Sequence, residues 1–177
     1  MEYRLTTPCT AQDLAPLKAG DTVLLSGVVY TARDQAHKRM IEALDKGEPL
    51  PFDLTGSAIY YVGPTPERPG EVIGSAGPTT SGRMDAMSPR LLDLGNKIMI
   101  GKGKRDDAVK AAVVRNGAVY LAALGGAGAL MAKSVQTLEV IAWPDLGCEA
   151  VRRLTVILDA HGGDLYQAGP EAYRESR

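Results

Sequence analysis

The run Thr22 to Tyr30, TVLLSGVVY, sets the tightest limit on what this chain can fold into. It is largely β-branched and apolar, which reads as a buried strand. Gly27 within it reads as a bulge. A helical pattern follows at once: Ala36, Met40, Ala43 and Leu44 share one face, and Lys46-Gly47 closes it. A buried strand needs covering layers, and a helix directly after it begins to supply one.

The alternation continues to the end of the chain. Tyr3 to Pro16 reads as mixed extended structure and Leu17 to Asp21 as a turn. Ala58 to Val62 is a short strand stopped by Gly63-Pro64, with Tyr60 and Tyr61 read as one inward and one outward residue. Met84, Met87, Leu91 and Leu94 recur at helical spacing, and Pro89 suits the first turn of a new helix, so two short helices are expected there. Strands are expected at Lys97 to Ile100, Ala118 to Ala122, Val135 to Ala142 and Val156 to Asp159. Helices are expected at Asp106 to Arg115, from an opening in Gly125-Gly126-Ala127-Gly128 to Lys133, and at Asp145 to Leu154, with a turn at His161 to Asp164. Strand and helix in turn, with no repeat or low-complexity linker, predict one α/β domain over residues 1–177 with helices packed on a largely buried sheet.

Composition excludes several classes of function. A net charge of -1 gives no reason to expect nucleic acid or an acidic membrane surface as partner. Cys9 and Cys148 are far apart and form no CxxC pair, so they are expected as ordinary thiols. An iron–sulfur cluster with one open iron takes three protein thiolates, more than this chain has. His37 and His161 are too few for a histidine metal site. No basic start leads into an apolar run, and none approaches the roughly 18 residues of a membrane helix, so a soluble, cytoplasmic protein is expected. Gly95 to Lys102 has the wrong spacing for a phosphate loop, and Gly125-Gly126-Ala127-Gly128 lacks the dinucleotide fingerprint.

Three cations remain, each at the end of an apparent strand and beside glycine or a helix start: Arg33, Arg83 and Lys102. Ligands of open α/β sheets gather at the carboxyl ends of strands. Two arginines and a lysine in such places suit a small molecule with two carboxylates, which Arg grips with paired hydrogen bonds and Lys with a point charge. Taken singly, Arg33 could simply pair with Asp34, and Lys102 could be a solvated turn residue. Arg83 lies in Gly77-Pro78-Thr79-Thr80-Ser81-Gly82-Arg83-Met84-Asp85, a tight turn in which Thr79 or Thr80 can cap the following helix.

These segments resemble a known family. Thr31-Ala32-Arg33-Asp34-Gln35-Ala36-His37-Lys38-Arg39 is similar to the "ARDxAHKR" segment in the β regions of class I fumarase and tartrate dehydratase. Tyr60 to Pro64, the Gly77 to Asp85 run, Ile100-Gly101-Lys102-Gly103 and Gly125 to Gly128 match the same family in the same order. The resemblance covers roughly residues 3 to 166 and implies a swivelling β/β/α domain, here in the form of a separate β subunit.

It further implies an iron–sulfur hydro-lyase that interconverts fumarate and malate, or in a close variant takes tartrate to oxaloacetate. A cysteine-containing α subunit would carry the 4Fe-4S cluster, which this chain does not hold, in an α2β2 or homodimeric association. Carried over motif by motif, Arg33, Arg83 and Lys102 would bind the substrate carboxylates, Thr80 would assist, and Thr79 would be the catalytic base. Threonine is a weak base, so that role calls for a cation-rich pocket. After Val156 the chain departs from its relatives, which carry a longer acidic and aromatic segment there. The non-enzymatic alternative is an anion-binding or carrier domain using His37 as phosphate acceptor.

Overall fold

A computed structural model describes residues 1–123, 126 and 128–162. Seven strands, β1 (Glu2–Thr7), β2 (Thr22–Thr31), β3 (Ala58–Tyr60), β4 (Ile98–Gly101), β5 (Val119–Ala122), β6 (Val135–Ala142) and β7 (Val151–Gly162), form one sheet. Five α-helices accompany them: α1 (Ala11–Leu14), α2 (Asp34–Lys46), α3 (Ser88–Asp93), α4 (Asp107–Asn116) and α5 (Gly128–Lys133). Short 3-10 turns lie at Ser81–Met84 and Pro144–Glu149. The α/β architecture expected from the sequence is the one observed.

Strands β1 to β5 run parallel, and β7 is antiparallel to its neighbours. It pairs with β2 along its length, from Thr22↔His161 to Thr31↔Arg152. At its far end β7 also meets β5, at Leu121↔Gly162. Strands β2, β3, β4, β5 and β7 therefore close into a ring, leaving β1 and β6 outside it.

Because side chains alternate along a strand, neighbouring residues feed two separate cores. Val23, Leu25, Val29, Tyr60, Ile98, Ile100 and Leu121 pack on one side with Leu154. Ile59, Tyr61 and Met99 pack on the other against Ala36 and Met40 of α2, Leu91 and Leu92 of α3, and Val109 and Ala112 of α4. Tyr60 and Tyr61 lie on opposite faces, but neither is outward as expected: both are buried, because a core covers each face of the sheet, and each hydroxyl finds a partner. Tyr60 donates to Ala76 O at 2.5 Å, and Tyr61 lies 3.2 Å from Ser88 Oγ.

Helix ends follow the sequence signals. Gly47 takes the left-handed conformation after α2, at φ 70°, and Asp106 caps α4 by accepting from Val109 N. Three expectations need correction. Gly27 is not a bulge: its pairing is unbroken on both sides at φ 96°, and a Cβ there would lie 2.7 Å from Thr7 Oγ1. Asp145 to Leu154 is not one helix but the Pro144–Glu149 turn followed by β7, which the open side of β2 recruits. His161 and Gly162 belong to β7 rather than to a turn, while Gly163 and Asp164 lie outside the described residues. No helix among the described residues is long and apolar enough to cross a membrane.

Candidate active site

The motif residues collect where the parallel strands end. Arg33 follows β2 in extended conformation and opens α2. Lys102 follows β4, and the segment after β3 turns through Gly63-Pro64. The Gly77 to Asp85 run is stitched onto these ends by backbone bonds: Thr79 N donates to Tyr61 O at 2.7 Å and Ser81 N to Lys102 O at 2.8 Å. Val62 bridges Pro78, and Thr80 bridges Lys102. On the other flank Ala76 N donates to Gly128 O at 2.9 Å, which brings the start of α5 against the same loop. Leu124, Gly125 and Ala127 of the glycine-rich stretch lie outside the described residues.

Two glycines make these approaches possible. A Cβ on Gly101 would stand 2.0 Å from Ser81 Oγ, and one on Gly63 would stand 2.8 Å from Arg33 Nη1. Ser81 is fully buried, with its hydroxyl 2.9 Å from Tyr120 OH, which in turn donates to Gly103 O at 3.0 Å. The Ser81 and Lys102 loops are thus locked together from below.

The two arginines meet at one carboxylate. Asp34 Oδ1 lies 3.5 Å from Arg33 Nε, and Oδ2 lies 3.7 Å from Arg83 Nη1. Arg33 also faces Glu149 at 3.5 Å, while the second oxygen of Glu149 accepts from Gln35 N at 2.9 Å and so caps α2. The simple pairing of Arg33 with Asp34 is therefore real, but Asp34 is shared with Arg83. Among the described residues no side-chain partner reaches the ammonium of Lys102 or the hydroxyls of Thr79 and Thr80. Neither threonine caps the turn that follows; Thr80 stands at its start with no side-chain cap bond.

Behind this surface lies a polar layer that the sequence did not reveal. Arg105 Nε donates to Asp85 Oδ1 at 2.6 Å, Arg105 Nη2 donates to Ser88 Oγ at 2.8 Å, and Asp106 N donates to Asp85 Oδ2 at 2.7 Å. The guanidinium sits between the rings of Tyr61 and Tyr120, at 5.3 and 5.0 Å from their centroids. His37 is wholly buried, edge-on to Tyr61, with Nδ1 3.0 Å from Arg33 O. Burial pushes its pKa down from 6.5 to about 4, so the ring is neutral and its Nδ1–H donates to that carbonyl. A ring this enclosed cannot serve as a phosphate acceptor.

Three buried side-chain atoms lack a hydrogen-bond partner among the described residues, and all belong to one short stretch: Arg33 Nε, Asp34 Oδ1 and His37 Nε2. A cavity of about 420 Å³ lies elsewhere, lined in part by Thr65, Arg68, Ile73, Lys133 and Val135. The motif residues instead face an open surface, where over half of the Arg83 side chain is exposed. Chemistry, not cavity size, marks the candidate site.

Comparison with known proteins identifies the family. The family described as Fumarase C-terminus matches residues 1–169. The chain belongs to the Fumarase C-terminus family. It is 39% identical over 168 residues to fumarate hydratase 2 of Leishmania major, covering 88% of this chain but 29% of that protein. A Methanocaldococcus jannaschii protein provisionally named L(+)-tartrate dehydratase subunit beta is 40% identical over 180 residues, covering 94% of this chain and 92% of the relative. The L(+)-tartrate dehydratase subunit beta of Escherichia coli is 32% identical over 189 residues, with 92% of it covered. Within this hydro-lyase family the chain is the β-type region, spanning under a third of the fumarase and nearly all of each subunit.

The iron–sulfur cluster associated with the Fumarase C-terminus family does not fit this chain's own donors. Cys9 is buried, with its thiol donating to Thr6 O, and Cys148 is exposed. Among the described residues no three His, Cys, Asp or Glu side chains stand together to hold a metal ion.

Proposed function

We propose that this chain is the substrate-gripping β part of a hydro-lyase that reversibly hydrates fumarate to malate, in a site shared with a cluster-bearing α subunit. In this reading residues 1–177 act as one domain, and the 4Fe-4S cluster belongs wholly to the partner. Arg33 and Arg83 hold one substrate carboxylate, and Lys102 answers the other with a point charge. Thr80, exposed beside Lys102, helps to orient the molecule. The Thr79 oxygen takes the proton from the carbon beside a carboxylate, and the surrounding cations favour its deprotonated form.

The observation that carries the reading is Asp34. A carboxylate with one oxygen facing Arg33 and the other facing Arg83 is what a substrate carboxylate would offer the same pair. The Thr79 hydroxyl and Lys102 ammonium, without a side-chain partner among the described residues, support it further.

Tartrate is the second reading, with oxaloacetate as product. It is favoured by the 92% coverage of the E. coli tartrate dehydratase subunit beta against 29% coverage of the Leishmania fumarase. Co-expression with the cysteine-bearing α subunit and anaerobic assay on fumarate, malate and tartrate decides between them. A cluster-loaded complex with no dehydratase activity on any of the three would remove the hydro-lyase assignment.

A further inference from the structure

Asp34 opens α2 between the two candidate carboxylate-binding arginines, yet it is hydrogen-bonded to neither. Its distances of 3.5 and 3.7 Å fall within ion-pair reach but beyond a hydrogen bond. Arg33 Nε and Asp34 Oδ1 are both buried and both lack a hydrogen-bond partner among the described residues. The charges are matched while the directional bonds stay unmade. Such a network holds its members in place and leaves them able to accept a better-fitting anion.

The two arginines are not equivalent. The Arg33 side chain is 20% exposed, faces Glu149 as well as Asp34, and has its carbonyl held by His37 N at 2.8 Å and by the His37 ring. Arg83 is 54% exposed and among the described residues has only the long approach to Asp34. Partly exposed pairs of this kind contribute little and exchange cheaply. Asp34 itself does not need Arg83, because a carboxylate in the first turn of α2 is favoured by the helix dipole.

We infer that Asp34 is a built-in counter-carboxylate: it holds Arg83 near Arg33, yields Arg83 to an incoming dicarboxylate, and thereby sets how tightly that ligand binds. This rests on the reading of Arg33 and Arg83 as carboxylate-binding residues. Asp34 is thus a specificity-determining residue for ligand charge. Removing its charge while keeping its shape leaves both arginines for the ligand, so a dianion gains more than a monoanion.

The test is calorimetric binding of succinate, an unreactive four-carbon dicarboxylate, and of acetate, to the complex with the α subunit. Asp34→Asn is expected to tighten succinate binding about three- to tenfold, with a smaller gain for acetate and a gain that shrinks as salt rises. Asp34→Glu keeps the charge and should bind succinate as the wild type does. Asp45→Asn removes an equal charge from the far end of the same helix, where Asp45 pairs with Arg90, and should leave succinate affinity unchanged. Thermal melts confirm that each variant is folded. Succinate binding in the wild type with no tightening in Asp34→Asn overturns the role of Asp34 and leaves the carboxylate site standing. No succinate binding to the wild-type complex overturns both.

Discussion

Asp85 and Arg105, twenty residues apart, form a buried ion pair at 2.6 Å that ties the Thr79–Arg83 loop to the segment carrying Lys102. The Asp85 side chain is 11% exposed and that of Arg105 is 4% exposed. Each has further partners: Ser88 and the Tyr61 and Tyr120 rings for Arg105, and Asp106 N for Asp85. A buried pair so fully satisfied costs little to keep and much to break.

Breaking it from one side should therefore be expensive. Asp85→Asn or Arg105→Met is expected to lower the free energy of unfolding by on the order of 3–5 kcal/mol. Urea denaturation followed by circular dichroism measures this. A loss below about 1 kcal/mol would show that the pair is not the clamp between the two loops.

Gly101 poses a steric test. A methyl group there would meet Ser81 Oγ at 2.0 Å and Tyr61 Cδ2 at 3.0 Å. Gly101→Ala is expected to destabilise by about 1–3 kcal/mol, the usual cost of overpacking. Adding Ser81→Ala removes the worse clash, leaving Cβ at 3.4 Å, and should recover part of the loss. Equal melting temperatures for the single and double variants would place the strain elsewhere.

His37 makes stability depend on pH in a defined direction. The folded ring titrates near 4 and the unfolded ring near 6.5, so the unfolded chain takes up the proton first as pH falls. Its contribution is complete above about pH 6.5 and lost between there and pH 4, in total about 3 kcal/mol. Burial drives the shift. Among the charges around the ring, Arg105 reinforces it and Asp34 opposes it. His37→Asn keeps a donor for the Arg33 carbonyl but cannot titrate, so its unfolding free energy should vary less across that window. A slope equal to the wild type's would assign the effect to other groups.

Arg83→Ala tests the site directly. With Arg83 exposed and its approach to Asp34 as long as 3.7 Å, the fold should survive its loss. Transition-state stabilisation in the complex should fall by on the order of 2–5 kcal/mol, measured as kcat/KM on fumarate or tartrate. Near-normal kinetics would take Arg83 out of the site.

The sequence made legible what depends on local pattern. The buried face of β2, the apolar face of α2, the first-turn position of Pro89 and the glycine after Lys46 were all readable, because each is fixed within a few residues of itself. The three cations were readable because glycine and strand ends flank them. What escaped depends on distant partners. Arg105 carried no local mark of its pairing with Asp85. Asp145 to Leu154 looked helical by composition, yet Arg152 to Leu154 lie opposite Val29 to Thr31 of β2, and that pairing overrides a weak helical preference. Asp34 was visible as a neighbour of Arg33, but its sharing with Arg83 needed the fold.

The pairing of β2 with β7 also governs how the chain can assemble. Ten residues near the beginning wait for partners more than a hundred positions later, from Thr31↔Arg152 to Thr22↔His161. Closing so long a loop delays the step that completes the ring, and contacts of such sequence separation slow folding. Until then, β2 presents an apolar edge with unsatisfied backbone groups, the kind of surface on which nascent chains aggregate or chaperones act.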